Sequence, residues 1–145
     1  MQLGLFAFAA ACAFVGAALY ISVVEQPVRL TLNAGEMVRE WTPSNRRGFV
    51  MLSALAIASS ILAYADYANT GDVRWIIGGT IMLATWAYAY FVIMPVNIEL
   101  YALERDAPAL TLRELMRDWG LLEWGHTVIG VWASGVFAWA LIMPA

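Results

Sequence analysis

The polar and apolar positions of this chain sort into long blocks. Four stretches, 3–24, 48–65, 75–94 and 121–143, are almost free of charge. Each approaches the roughly 20 apolar residues that a helix needs to cross a bilayer. A lipid-exposed span must satisfy its own backbone hydrogen bonds, so all four are predicted as helices. Polar residues collect in two long connections, 25–47 and 95–120, and one short one, 66–74. The pattern predicts an all-α fold, an integral membrane four-helix bundle, with 1–145 as a single transmembrane domain. The first span lacks the basic start of a secretory signal and is read as retained.

Small residues suggest how the spans pack. Ala9, Ala13 and Ala17 recur at i+4 spacing beside Cys12 and Gly16, and span four carries Gly130, Ser134 and Ala138. Such rows let helix backbones approach closely in lipid. The lone cysteine, Cys12, reads as a small packing residue, since it has no partner for a disulfide or a CxxC pair.

The chain also repeats itself. Residues 33–41 (NAGEMVREW) match residues 111–119 (TLRELMRDW) position by position in character. Each reads as a capping box, with Asn33 or Thr111 as N-cap and Glu36 or Glu114 three residues on. Upstream, residues 25–30 (EQPVRL) echo residues 94–100 (MPVNIEL). The expectation is two parallel copies of span, interfacial amphipathic helix, span, related by an axis along the membrane normal.

Composition sharpens this picture. The chain is 62% hydrophobic and 13% charged, with a mean hydropathy of +0.70. A soluble domain carries about 25% charged residues. The net charge of −3 excludes a basic nucleic-acid surface. All basic residues are arginine, and all but Arg74 lie in the two long connections: Arg29, Arg39, Arg46, Arg47, Arg105, Arg113 and Arg117. The positive-inside rule then makes those connections cytoplasmic, in an inner membrane, with both termini external. Trp41, Trp119, Trp124 and Tyr101 read as anchors at that boundary, with Trp75 and Trp139 at the other. Trp86 and Trp132 fall mid-span, as lipid-facing bulk or as walls of an aromatic, substrate-binding pocket.

Candidate chemistry gathers at the cytoplasmic mouth. Glu25 ends span one, Asn97 and Glu99 follow span three, and Glu123 and His126 open span four. Glu123 and His126, the only imidazole, stand at i and i+3 and so share a helix face. Ionisable groups at membrane depth default to a functional reading. In that reading Glu123 or Glu25 is a base, His126 orients or protonates, Asn97 holds a substrate oxygen, and Glu99 with the two tryptophans binds substrate. Blander readings stand beside it: Glu25 as an ion pair with Arg29, four residues on, Glu99 as a solvated charge, and His126 as an interhelical hydrogen bond. Glu-x-x-His is half of a di-iron motif, but the first repeat has Asn45-Arg46-Arg47-Gly48 in the matching place. No cofactor is expected; a mononuclear metal on Glu25, Glu99, Glu123 and His126 is the minor alternative. With a single histidine, bis-His haem ligation is excluded, and no nucleophile elbow, phosphate loop or dinucleotide fingerprint is present.

Residues 24–30 (VEQPVRL) after span one, Trp41 before Arg46-Arg47, and Pro95-Val96-Asn97 after span three resemble the anthrone-oxygenase-like family of small four-helix membrane proteins. The resemblance runs through nearly the whole chain in order. It implies oxidation of an aromatic anthrone to a quinone by O₂ without a conventional cofactor. At the start of span four that family has His followed three residues later by Arg; here Glu123 and His126 stand in those places. The expected partners are membrane lipids and a small apolar ligand. A non-catalytic membrane subunit or a lipid- or quinone-binding module, alone as a homo-oligomer or within a larger complex, is the alternative function.

Overall fold

A computed structural model describes residues 2–103 and 108–143. Among these residues the chain is helical throughout, with α1 over Gln2–Tyr20, α2 over Gln26–Arg29, α3 over Ala34–Thr70, α4 over Val73–Tyr88, α5 over Met94–Leu103 and α6 over Ala109–Ile142. A π-helical turn, Ile21–Glu25, joins α1 to α2 in one rod, and another, Ala89–Ile93, joins α4 to α5. Four helical rods, Gln2–Arg29, Ala34–Thr70, Val73–Leu103 and Ala109–Ile142, are therefore long and apolar enough to cross a membrane.

The π turns have a visible cause. A proline donates no N–H to the carbonyl four residues back and its ring crowds that carbonyl. Pro27 faces Val23 in this way and Pro95 faces Phe91. The residue before each proline reaches one carbonyl further: Gln26 N–H bonds to Ile21 O and Met94 N–H to Ala89 O. Each rod thus absorbs an extra residue without breaking.

The connections differ from expectation. α3 is one helix of 37 residues, about 55 Å at 1.5 Å per residue, against a hydrocarbon core of about 30 Å. The interfacial segments are continuous with spans two and four: α3 runs through Pro43 and Gly48, and α6 runs unbroken from Ala109. Pro43 stands inside α3, on an exposed face. The Asn33 cap holds, its side chain accepting from Glu36 N at 2.9 Å. Thr111 is not an N-cap: α6 begins at Ala109, after Pro108, and Thr111 lies within its first turn. Arg105 lies outside the described residues.

Around the bundle, α1 packs against α3 and α6, and α4 packs against the same two helices from the other side. The packed row on α1 is Gly4, Ala7, Ala11, Phe14 and Ala18, not the Ala9, Ala13 and Ala17 row, and Cys12 faces outward. An unbroken apolar run offers no polar face from which to read its rotation. On α6 the buried stripe is Leu112, Met116, Trp119, Glu123, His126, Gly130, Ala133, Phe137 and Ala140, so Gly130 packs as expected while Ser134 and Ala138 sit at its edge. Serines tie the rods together: Ser59 Oγ donates to Ala7 O at 2.8 Å, and Ser60 Oγ to Gly79 O at 2.9 Å.

Two apolar cores result. One, around Ala11, Phe14, Leu52, Met82 and Phe137, fills the region towards the α3–α4 turn. The other, around Met37, Trp41, Leu100, Met116 and Trp119, fills the opposite end. Trp41, Trp119 and Trp75 are therefore core residues, not boundary anchors. Trp41 and Trp119 pack edge to face at 5.9 Å, and Trp75 stacks on Phe137 at 5.5 Å. Trp124, Tyr101 and Trp139 remain exposed, as anchors are.

Candidate functional site

The polar side chains gather where the two cores meet. A cavity of about 40 Å³ lies there, walled by Phe14 and Leu52 of one core and by Ile93 and Trp119 of the other. Both π turns contribute to its wall, through Ile21 and Glu25 from the first and Ala89 and Ile93 from the second. π turns recur at functional sites because they re-aim side chains that a regular helix would place elsewhere.

Glu123 and His126 reach the cavity from the inward stripe of α6. They are 5% and 6% exposed, and His126 Nδ1 lies 3.1 Å from Glu123 Oε2. Phe14 meets the imidazole edge to face at 6.0 Å and Tyr88 at 5.7 Å. Tyr88 in turn donates its hydroxyl to Leu122 O at 2.6 Å. The ring is thus held on three sides: by a carboxylate and two aromatic edges.

Asn97 comes from α5, is 8% exposed and lines the same cavity. Among the described residues its Oδ1 has no hydrogen-bond partner, and neither does Trp119 Nε1. Both residues line the cavity, and a buried acceptor and donor without partners are costly to maintain.

Glu25 closes the cavity towards α3. Ser44 Oγ donates to Glu25 Oε1, and Arg29 Nη2 lies 3.2 Å from the same oxygen. Arg29 is fully buried. It also hydrogen-bonds Glu40 through Nε and Gln26 through Nη1, the latter at 2.8 Å, and lies over the Trp119 ring at 5.4 Å. The ion pair read from Glu25 and Arg29 therefore exists, but as one edge of a network. A buried charge left with one partner removed is strongly destabilising, and the several acceptors here spread that risk.

The side of the cavity carries an aromatic pair. Phe49 of α3 and Trp86 of α4 lie 6.2 Å apart, each about half exposed. Both fall within rods long and apolar enough to cross a membrane.

The structure thus brings Glu25, Asn97, Glu123, His126 and Trp86 to one cavity. It does not bring Trp132 or Glu99 there. Trp132 is 69% exposed on the outer face of α6, away from the cavity, and Glu99 is exposed on α5. The four-residue metal set therefore does not converge, and among the described residues no three His, Cys, Asp or Glu side chains form a group able to hold a metal ion. Sequence reading missed Tyr88, Ser44, Glu40 and Thr85, which carry no motif. Arg29 was seen only as a neighbour of Glu25. The signal that was present is the proline after each of spans one and three, which marks both π turns.

No protein-family model, no curated protein and no solved structure matches this chain.

Proposed function

We propose that this is an oxidoreductase-like membrane protein that takes a small, apolar, aromatic molecule from the lipid and moves a proton at its reacting carbon or oxygen. The carrying observation is the buried Glu123–His126 pair sharing one cavity with Asn97, whose buried side-chain oxygen has no partner. With Nδ1 of His126 donating to Glu123, Nε2 is the nitrogen that takes the substrate proton, and Glu123 stabilises the imidazolium that forms. Trp119 Nε1 is a donor for a substrate oxygen, and Asn97 Oδ1 accepts from a substrate hydroxyl. The resemblance to anthrone oxygenases supplies the oxidant: a methylene between aromatic rings and O₂ give a carbonyl and water.

Size decides how the substrate arrives. About 40 Å³ holds roughly three waters at about 10–15 Å³ each, whereas drug-sized ligands occupy about 300–1,000 Å³. The cavity is too small for such a ligand as it stands, so a wall must give, and the half-exposed Phe49–Trp86 pair is that wall. The same smallness favours the second reading, a lipid- or quinone-binding module or membrane subunit, in which the polar layer fixes the register of the bundle.

Purified protein in detergent, given an anthrone-type carbon acid in air, tests the two. Quinone absorbance rising with O₂ uptake, and falling about 10²–10⁴-fold in Glu123→Gln or His126→Ala, supports catalysis. A co-purifying quinone or lipid with no O₂ uptake above buffer supports the binding module.

The orientation belongs to the same proposal. The arginine bias supports cytoplasmic α3 and α6 starts in an inner membrane with external termini, and the matched π turns and prolines support two parallel repeats. Terminal tags digested by protease added to right-side-out vesicles are expected; protected tags overturn the orientation.

A further inference from the structure

Glu25 lines two compartments at once. With Ile21, Ser44 and Gly48 it walls the inner cavity that holds Glu123 and His126. The same four residues line a separate, more open groove on the outer side of α1 and α3, where Glu40, Arg47 and Tyr20 lie. Glu25 is the acid in that shared wall. Its side chain is 24% exposed, between the 6% of Glu123 and the 39% of Glu40.

We propose that Glu25 is a proton relay between the buried Glu123–His126 pair and the outer groove. A carboxylate is the only titratable group in the shared wall, and it ends the π turn that turns it into that position. Its charged surroundings are complete on every side: Arg29 on its own rod, Glu40 and Arg47 from α3, and Glu123 and His126 from α6. Arg29 stays protonated throughout, because a guanidinium does not give up its proton in proteins. It therefore holds Glu25 in place without carrying the proton itself. Ser44 Oγ, donating to Glu25 Oε1, fixes the other side.

The step balances. An O–H bond forms on Glu25 as a hydronium in the cavity, or the imidazolium N–H of His126 through an intervening water, gives up its proton. That O–H bond then breaks towards water in the groove, and the carboxylate returns to Arg29. One proton crosses the wall and no electrons move. Glu25 and His126 line the same cavity, which has room for about three waters to carry the proton on the inner side.

This inference rests on the proton chemistry proposed for the site, but its test does not use turnover. His126 is the only histidine, so ¹⁵N-histidine labelling of protein purified through a tag without histidine reports on one ring. Exchange of its ring N–H with water is measured by saturation transfer in detergent micelles. Glu25→Gln, which keeps the shape, is expected to slow that exchange about 10²-fold, the low end for a positioned proton-transfer group. Were Glu25 only a structural plug, its loss would loosen the wall and speed exchange. Exchange at the wild-type rate or faster therefore overturns the relay. If Glu25→Gln does not fold, Glu25→Asp, which keeps the charge beside Arg29 but shortens the arm, gives the same reading: slower exchange supports the relay and wild-type exchange overturns it. Failure of the enzymatic reading shows separately, as absent O₂ uptake in the wild type with the exchange result intact.

Discussion

Tyr88 and Gly125 occupy each other's space: a Cβ built on Gly125 falls 2.2 Å from the Cζ and hydroxyl oxygen of Tyr88. The absence of a side chain on α6 lets the phenol lie flat against the helix and donate to Leu122 O at 2.6 Å. The same ring packs on His126, so a glycine one residue away from the imidazole sets its aromatic wall.

Gly125→Ala is therefore expected to displace Tyr88 rather than to be absorbed. The displaced atoms belong to a rigid ring, and overpacking of this kind costs about 1–3 kcal/mol. The melting temperature in detergent should fall, and the His126 ring signal should shift because its edge contact is lost. An unchanged melting temperature with an unchanged His126 signal would show that the helices part without cost.

Glu123→Gln and His126→Ala are expected to separate function from stability. Interhelical hydrogen bonds in membranes average about 0.6 kcal/mol, and the Glu123–His126 bond lies within a single helix. Yield and melting should change little, while turnover or ligand retention drops about 10²–10⁴-fold. Variants that keep ligand and activity but lose stability would assign the pair to the scaffold.

How far this was legible in the sequence depends on what each pattern encodes. Hydropathy located four spans because twenty apolar residues mean the same thing wherever they occur. It did not show that spans two and four run on into the polar connections, because Pro43 and Gly48 read as stop signals that α3 in fact runs through, and the polar start of α6 carries no apolar run of its own. Trp41 and Trp119 were misplaced for that reason: the second core that buries them exists only when those connections are helical. Glu123 and His126 were legible because i, i+3 spacing puts them on one face of any helix. Trp132, six residues on, is carried to the outer face by the same periodicity. Arg29 bonding to Glu40 and Ser44 was not legible, since α2 and α3 meet across a turn whose geometry no spacing rule gives.

Trp86 is a further side chain whose removal should act on the ligand more than on stability. It is 46% exposed and touches Phe49 on the exposed flank of the cavity. Trp86→Ala opens that flank without leaving a sealed void, so its stability cost should stay well below the about 3–5 kcal/mol of a buried Trp→Ala. Uptake of an apolar aromatic probe from detergent, followed by stopped-flow fluorescence, should become faster. An unchanged uptake rate would place the opening elsewhere.

The far end of the bundle supplies a pH dependence independent of the site. Asp72, in the turn between the second and third spans, caps α4 by accepting from Arg74 N at 3.0 Å and binds the Arg74 guanidinium at 2.6 and 2.8 Å. Arg74 lies over Trp139 at 5.1 Å, so the pair fastens α4 to the end of α6. The Arg74 side-chain hydrogen bond holds the Asp72 carboxyl below its ordinary value of 3.8, outweighing the opposing effect of burial. In the unfolded chain that carboxyl takes up its proton at the ordinary value, before the folded protein does. The contribution to stability is therefore complete above about pH 3.8 and is lost as pH falls further, through the lower folded value. Between pH 5 and pH 3 the denaturation midpoint of the wild type should drop more than that of Asp72→Asn, which has no carboxyl to protonate. At pH 5 the variant should be the weaker of the two, and the gap should narrow towards pH 3. Parallel curves for the two proteins would mean that the Asp72–Arg74 pair carries none of the acid sensitivity.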